Sequence, residues 1–254
     1  MAIDRWLVEQ YRLGLHPPTL RFYLWQPPAI SLGYHQRHWP EFWQHLTWRD
    51  RPLELVRRPS GGRAVLHQGD LTYAIVTSDG GGNRTQVYQQ CCEFLIQGWR
   101  SLGVELQYGQ SKRGYIHHPS CFATATAADL ITPSGYKLIG SAQLRLPPAI
   151  LQHGSIRLEP DPDLFAQVFD TPPPPPWQLP LSERGNALIE IAIAALSQAA
   201  ERCFNMQLLE QPFSEQEWSA IQTYAASRYR ADTSSVEIPN LTEIPLNPSY
   251  KRGL

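Results

Sequence analysis

The sequence predicts a mixed domain in which strands and helices alternate. Three observations predict it. No internal repeat organises the 254 residues, turns bearing glycine or proline separate short β-prone runs from longer stretches of helical spacing, and 42% hydrophobic with 18% charged residues is a globular composition. That composition excludes a disordered chain. The expected organisation is a single large domain over residues 1–230, closed by helices from about residue 181, with a tail over 231–254.

Taken in order, the spacing predicts a first helix over Asp4–Arg12. Leu20–Trp25 and Ala29–Leu32 are short, aromatic and β-prone, and Pro27 and Pro28 between them cannot donate to a ladder, so two short strands around a turn are expected. Strand-like Leu53–Arg58 leads into the loop Pro59–Gly62. The runs Arg63–His67 and Leu71–Val76, separated by Gln68, Gly69 and Asp70, then read as a hairpin with a polar tip. Tyr88, Cys91, Cys92, Leu95, Trp99 and Leu102 recur at helical spacing over Thr85–Leu102, and Gly103 stops that helix, which should cover the sheet.

Leu130–Ile131, Lys137–Leu146 and Ala149–Leu158 follow as three antiparallel strands, with Pro147-Pro148 at the second turn. The run Pro172–Pro176 suits neither a central strand nor a helix and is read as a stiff spacer. Ser182 is the expected cap of a helix whose apolar face is Leu188, Ile191, Ala192, Ala195, Leu196, Ala199 and Cys203. Ser214 and Glu217 form a capping-box pattern ahead of Trp218, Ile221, Ala225 and Tyr229. Beyond Ala231 no pattern marks an element.

Charge narrows the function classes. Twenty-two Lys plus Arg against 23 Asp plus Glu leave a net charge of −1, which provides no bulk field for nucleic acid or an anionic membrane. Asp4 and Glu9 interrupt any apolar core of an export signal, and the apolar stretch Ala187–Ala200 contains Glu190 and is shorter than the roughly 20 residues that span a bilayer. Cys91, Cys92, Cys121 and Cys203 lack zinc-site spacing and disulfide density, which makes a reducing cytoplasm the expected compartment.

Several segments carry candidate chemistry. In Arg57-Arg58-Pro-Ser60-Gly61-Gly62-Arg63-Ala-Val-Leu-His67, paired glycines let a ligand approach the backbone; the same residues also suit a strained turn whose arginines face water. No Gly-Lys-Ser/Thr follows, so it is not a phosphate-cradling loop of that type. Cys121, in His117-His118-Pro-Ser-Cys-Phe, is either a nucleophile needing a neighbour to raise its thiolate fraction or a small packed hydrophobe; Cys91, Cys92 and Cys203 keep the packed reading. Lys137, before Leu-Ile-Gly140-Ser141-Ala142-Gln, either aims an ammonium at a substrate carbonyl or guards a strand edge. The pairs His35/His38 and His117/His118 lack a third ligand, so no metal is expected, and Gly80–Gly82 reads as a connector.

Together these segments resemble the biotin/lipoate protein ligase family, in its cysteine-dependent octanoyltransferase branch. The pieces that carry the resemblance are Pro28–Gln36, Arg57–His67 with Leu71–Ala74, Pro119-Ser-Cys-Phe122, Lys137–Gln143 and Leu151-Gln-His153-Gly-Ser-Ile156, in family order. The resemblance implies an α+β fold, a mixed and largely antiparallel sheet flanked by helices like the catalytic core of class II aminoacyl-tRNA synthetases. It implies that Cys121 takes an octanoyl group from acyl carrier protein, that Lys137 contacts the acyl carbonyl, and that a lysine of a lipoyl domain or glycine cleavage H protein accepts the chain. Arg58, Ser60, Gly61, Gly62, Arg63, His67, Gly140, Ser141, Ala142 and His153 are the implied substrate-binding set, with no cofactor. Arg57 and Arg58 are expected to dock an acidic carrier or its phosphate. The rival readings are an ATP-dependent lipoate ligase, a lipoyl-protein amidotransferase and a silent module that binds lipoyl domains.

Overall fold

The computed structural model describes residues 1–109, 128–229 and 250–253. Its strands in chain order are β1 (Thr19–Tyr23), β2 (Ala29–Leu32), β3 (Thr47–Trp48), β4 (Arg51–Pro52), β5 (Glu54–Arg57), β6 (Val65–His67), β7 (Asp70–Ser78), β8 (Gln107–Tyr108), β9 (Asp129–Ile131), β10 (Lys137–Leu146), β11 (Ala149–Arg157), β12 (Leu208–Glu210) and β13 (Tyr250–Gly253). Its helices are α1 (Ala2–Arg12), α2 (Arg84–Ser101), α3 (Pro162–Phe169), α4 (Gly185–Phe204) and α5 (Glu215–Tyr229). The large sheet runs β12-β13-β1-β7-β11-β10-β9-β8, and every neighbouring pair in it is antiparallel. A small sheet runs β5-β2-β6.

Side chains alternate across a strand, so β7 feeds two layers. Leu71, Tyr73 and Ile75 enter the main core beneath α2 and α4, with Phe94, Leu95, Trp99 and Leu196. The other face carries Ala74 and Val76, which with Ala149 and Leu151 receive Trp6, Leu7 and Val8 of α1 and Ile221 of α5. The chain expected as a covering helix is α2; Asn83 caps it by accepting from the Gln86 amide, and Gly103 at φ +77° follows its end. Gly98 sets its distance from α4, since a Cβ there would stand 2.8 Å from Leu196 Cδ2.

The expected β6–β7 hairpin does not form. β1 pairs with one edge of β7 and β11 with the other, and a strand has only two hydrogen-bonding edges, so β6 pairs with β2 in the small sheet. Gly69 makes the corner at φ +63°, pressed so closely on Glu159 that a Cβ would lie 1.9 Å from that residue's carbonyl oxygen. β1 and β2 likewise belong to different sheets rather than to one turn unit. The small sheet and α3 enclose a second core around Ile30, Leu32, Trp43, Phe165 and Val168.

The hairpin β10–β11 forms as expected, with Leu146 opposite Ala149 across Pro147-Pro148. Pro172–Pro176 is neither helix nor strand and connects α3 to α4. Ser182 does not cap α4: the helix starts later, after Arg184, and Glu159 Oε2 accepts from the Gly185 amide at 3.0 Å in place of a local side chain. The Ser214–Glu217 capping box forms in both directions at the start of α5. No sequence pattern marks β13, which lies between β1 and β12.

Candidate active site

Lys137 and Gly140 are an odd number of residues apart, so a regular strand would put them on opposite faces. A bulge between Lys137 and Ile139 prevents this: Lys137 lies opposite Ile131, Ile139 opposite Leu130 and Gly140 opposite Asp129. Cross-strand partners share a face, so Lys137, Asp129, Gly140, Ala142 and His153 stand on the α1 side of the sheet, while Leu138 and Ile139 both enter the main core. Lys137 is therefore no exposed edge lysine. It is 5% exposed, and its Nζ lies 2.9 Å from Asp129 Oδ1. Ser141 is set apart from this group, on the opposite face, where its Oγ accepts from Tyr73 Oη at 2.8 Å.

The Pro59–Gly62 loop connects β5 and β6 of the small sheet. Arg58 is buried, and its guanidinium is turned on backbone carbonyls of β2 and of the segment that follows Arg58: Nη1 donates to Ser31 O at 2.8 Å, Nε and Nη2 to Gly61 O, and Nη2 to Arg63 O at 2.6 Å. Arg57 Nη1 donates to Gly33 O and Gln36 O. Arg58 thus holds the Pro59–Gly62 loop from within, and half-buried Arg57 ties the turn at Gly33 and Gln36 to the end of β5. The glycines divide the work. Gly62 has φ +99° and would put a Cβ 2.8 Å from Arg58 Nη2, whereas a Cβ on Gly61 would meet no atom of the described residues within 4 Å. Gly61 is the position with room for a ligand against the backbone. Arg63 is half-buried beside it.

Two buried relays of carboxylate, imidazole and hydroxyl hold this loop. In the first, Asp70 Oδ2 accepts from His67 Nδ1 at 2.8 Å, from Ser155 Oγ and from Thr72 Oγ1; His67 Nε2 lies 2.8 Å from Ser31 Oγ, which itself accepts from Arg58 Nη1. Trp25 stacks on the His67 ring at 4.3 Å. In the second, His153 Nε2 lies 2.5 Å from Ser60 Oγ, and its Nδ1 lies 3.3 Å from Asp4 Oδ2. Both resemble a nucleophile triad in geometry, but Ser31 and Ser60 are buried.

Asp4 is the site residue that sequence reasoning missed. It also takes Arg21 Nη1 on Oδ1 and Tyr23 Oη on Oδ2 at 2.8 Å. Burial opposes its ionisation, but Arg21 foremost, with His153, outweighs burial and holds the carboxyl well below the usual carboxylate range. Burial lowers the pKa of His153, an effect Asp4 only partly offsets. A signal existed: Asp4 precedes Leu7 and Val8 by three and four positions, which puts an acid on the buried stripe of α1.

Cys121 and the His117/His118 pair lie outside the described residues. Cys91 and Cys92 are packed under the sheet, and burial pushes both thiols up to about 12. Cys203 departs from its expected packed position: it is exposed at the end of α4. Among the described residues no group of three or more His, Cys, Asp or Glu is placed to hold a metal ion, and no helix is long and apolar enough to cross a membrane.

Residues 1–215 match the family model of the lipoyl protein ligase A/B catalytic domain. The chain belongs to that family. Within it, the chain is 35% identical over 183 residues to octanoyltransferase LipM of Halalkalibacterium halodurans, an overlap of 68% of this chain and 66% of that one. It is 31% identical over 256 residues to octanoyltransferase LipM of Anoxybacillus flavithermus, covering 91% of each. The chain thus spans just under two thirds of the length of the Halalkalibacterium relative in the aligned region. The fold is that of solved members of the lipoyl protein ligase family. A crystal structure of lipoate-protein ligase A bound with ATP superimposes with a TM-score of 0.72 at 21% identity, covering 87% of this chain and 86% of that one. A chain from the structural analysis of a bipartite lipoate protein ligase and its E2 lipoyl domain from Thermoplasma acidophilum gives 0.67 at 19% identity over 97% and 93%.

Proposed function

We propose that this protein is an octanoyltransferase of protein lipoylation, moving an octanoyl group from acyl carrier protein through a Cys121 thioester to a lysine of a lipoyl domain or glycine cleavage H protein. The observation that carries this reading is the placement of Lys137: an ammonium held by a carboxylate at 2.9 Å, buried, on the sheet face shared with His153, which in turn holds the glycine loop. A preset cation in a low-dielectric site stabilises the oxyanion that forms when a thioester carbonyl is attacked. The relatives named octanoyltransferase LipM support the same reading.

The chemistry runs in two steps. The Cys121 thiolate adds to the octanoyl carbonyl carbon; a new C–S bond forms, the carrier's C–S bond breaks, and the pantetheine sulfur leaves and takes a proton. The acceptor ε-amine then adds to the Cys121 thioester, the amide forms, and the cysteine sulfur is released. A thioester is already activated, so neither step needs ATP. Gly61 offers the open backbone against which the acyl chain lies, and each buried methylene contributes about 0.8 kcal/mol.

The test is intact-mass analysis after incubation with octanoyl acyl carrier protein without nucleotide. Wild type should gain one octanoyl group and Cys121→Ala none. An adduct on Cys121→Ala overturns the assigned nucleophile. Transfer of free octanoate only with ATP and magnesium marks a ligase instead, and a donor requirement for octanoylated H protein marks an amidotransferase.

A further inference from the structure

Ser60 belongs to the loop of the small sheet, and His153 and Asp4 belong to the large sheet and its covering helix. The three meet in one buried chain, with Ser60 1% exposed, His153 3% and Asp4 0%. An ionised carboxylate only accepts hydrogen bonds, so the His153 nitrogen that faces Asp4 must carry a proton. That nitrogen is Nδ1. In a neutral imidazole Nε2 is then an acceptor, and Ser60 Oγ, 2.5 Å away, must donate to it. The Ser60 hydroxyl is thereby oriented, and with it the backbone that leads into Gly61 and Gly62.

We propose that Asp4 is a positioning residue for the acyl-transfer site, fixing the His153 tautomer and through it the Ser60–Gly62 loop. The inference rests on the octanoyltransferase reading for the reaction it serves, and on geometry alone for the tautomer. Arg21 and Tyr23 hold the same carboxylate from β1 at its other lone pairs, so Asp4 cannot swing away from His153 without breaking bonds to the sheet. α1, whose apolar face packs on Ala74, Val76 and Leu151, carries Asp4 to this point. The helix is therefore part of the site and not only its cover.

The experiment uses the full chain labelled with nitrogen-15 at histidine. Long-range proton–nitrogen spectra report which ring nitrogen is protonated, with His153→Gln locating the signal. Wild type should show protonated Nδ1 and bare Nε2; Asp4→Asn should lose that pattern. Acylation of Cys121 by octanoyl acyl carrier protein should fall at least tenfold in kcat/KM for Asp4→Asn, yet change less than twofold when the same substitution is made in Ser60→Ala. Should Asp4→Asn fail to fold with Arg21 left uncompensated, the double variant Asp4→Asn/Arg21→Gln removes both charges and must show the same pattern. A protonated Nε2 in wild type with acylation intact overturns this proposal alone, as do fully multiplicative effects of Asp4→Asn and Ser60→Ala, which would make Asp4 a purely structural partner. No acylation by wild type overturns the octanoyltransferase reading and with it the catalytic half of the proposal.

Discussion

Ser60 Oγ lies 2.5 Å from His153 Nε2, and this hydrogen bond joins the loop of the small sheet to the central strands of the large one. Ser60 comes from the β5–β6 connection and His153 from β11, 93 residues later. The glycine loop is therefore referenced to β11, the strand paired with the β10 that carries Lys137, Gly140 and Ala142.

Removing that bond should cost function more than stability. Ser60→Ala removes one buried neutral hydrogen bond, which is worth about 1 kcal/mol. Urea titration should report a loss of that size, while single-turnover octanoyl transfer should fall about tenfold or more. Equal transfer rates for the two proteins would mean that the loop is held without Ser60.

Breaking the Lys137–Asp129 pair should be expensive. Asp129→Asn leaves a buried ammonium without this carboxylate, which typically costs about 3–5 kcal/mol. Lys137→Met should abolish oxyanion stabilisation and lower transfer by about 100-fold or more. The double variant should recover much of the stability and none of the activity. Recovery of activity in the double variant would show that Lys137 holds structure only.

The glycines should separate by role. Gly154→Ala would set a Cβ 2.6 Å from Ser141 Oγ, 2.7 Å from the Gly140 carbonyl oxygen and 2.7 Å from Tyr73 Cε1, so the β10–β11 pairing must shift. A loss of about 1–3 kcal/mol is expected in thermal or chemical denaturation. Gly61→Ala meets no atom of the described residues within 4 Å, so stability should stay within about 0.5 kcal/mol while KM for the octanoyl donor rises. An unchanged KM would place the acyl chain elsewhere.

Acid should weaken the fold in two stages. His153 has its pKa lowered on folding by burial, so its neutral form contributes stability in full above the unfolded pKa of about 6.5, and this is lost as pH falls through the folded value. Asp4 is lowered by Arg21 and His153 against the opposing effect of burial; its contribution is complete above about 3.9 and is lost only as pH falls further, through its own folded value. Stability measured against pH should lose the upper stage in His153→Gln. If that variant keeps the upper stage, the titration belongs to another histidine.

Much of this was legible because it is local. The α2 pattern with its glycine stop, the β10–β11 hairpin and the Ser214–Glu217 capping box each depend on residues within a turn or two of one another, and each formed as read. The motif residues around Arg58, Lys137 and His153 were likewise visible, because their residue types and order are a property of the chain.

What only the tertiary structure decided is where edges, faces and partners fall. β6 leaves β7 because β1 and β11, distant in the chain, occupy both of that strand's edges. Lys137 faces the site because of a bulge that no alternation pattern announces, and Arg57 and Arg58 bond backbone carbonyls more than 20 residues earlier in the chain, at Gly33, Gln36 and Ser31, which only folding brings beside them. Asp4 looked like a residue that spoils an apolar run; burial gave it Arg21, Tyr23 and His153 as partners. The chain by itself determined which groups are present and which local elements they start or stop. Hydrogen-bond satisfaction and charge pairing across distant segments decided which of them meet, because a buried polar group has to find its partner wherever the fold places one.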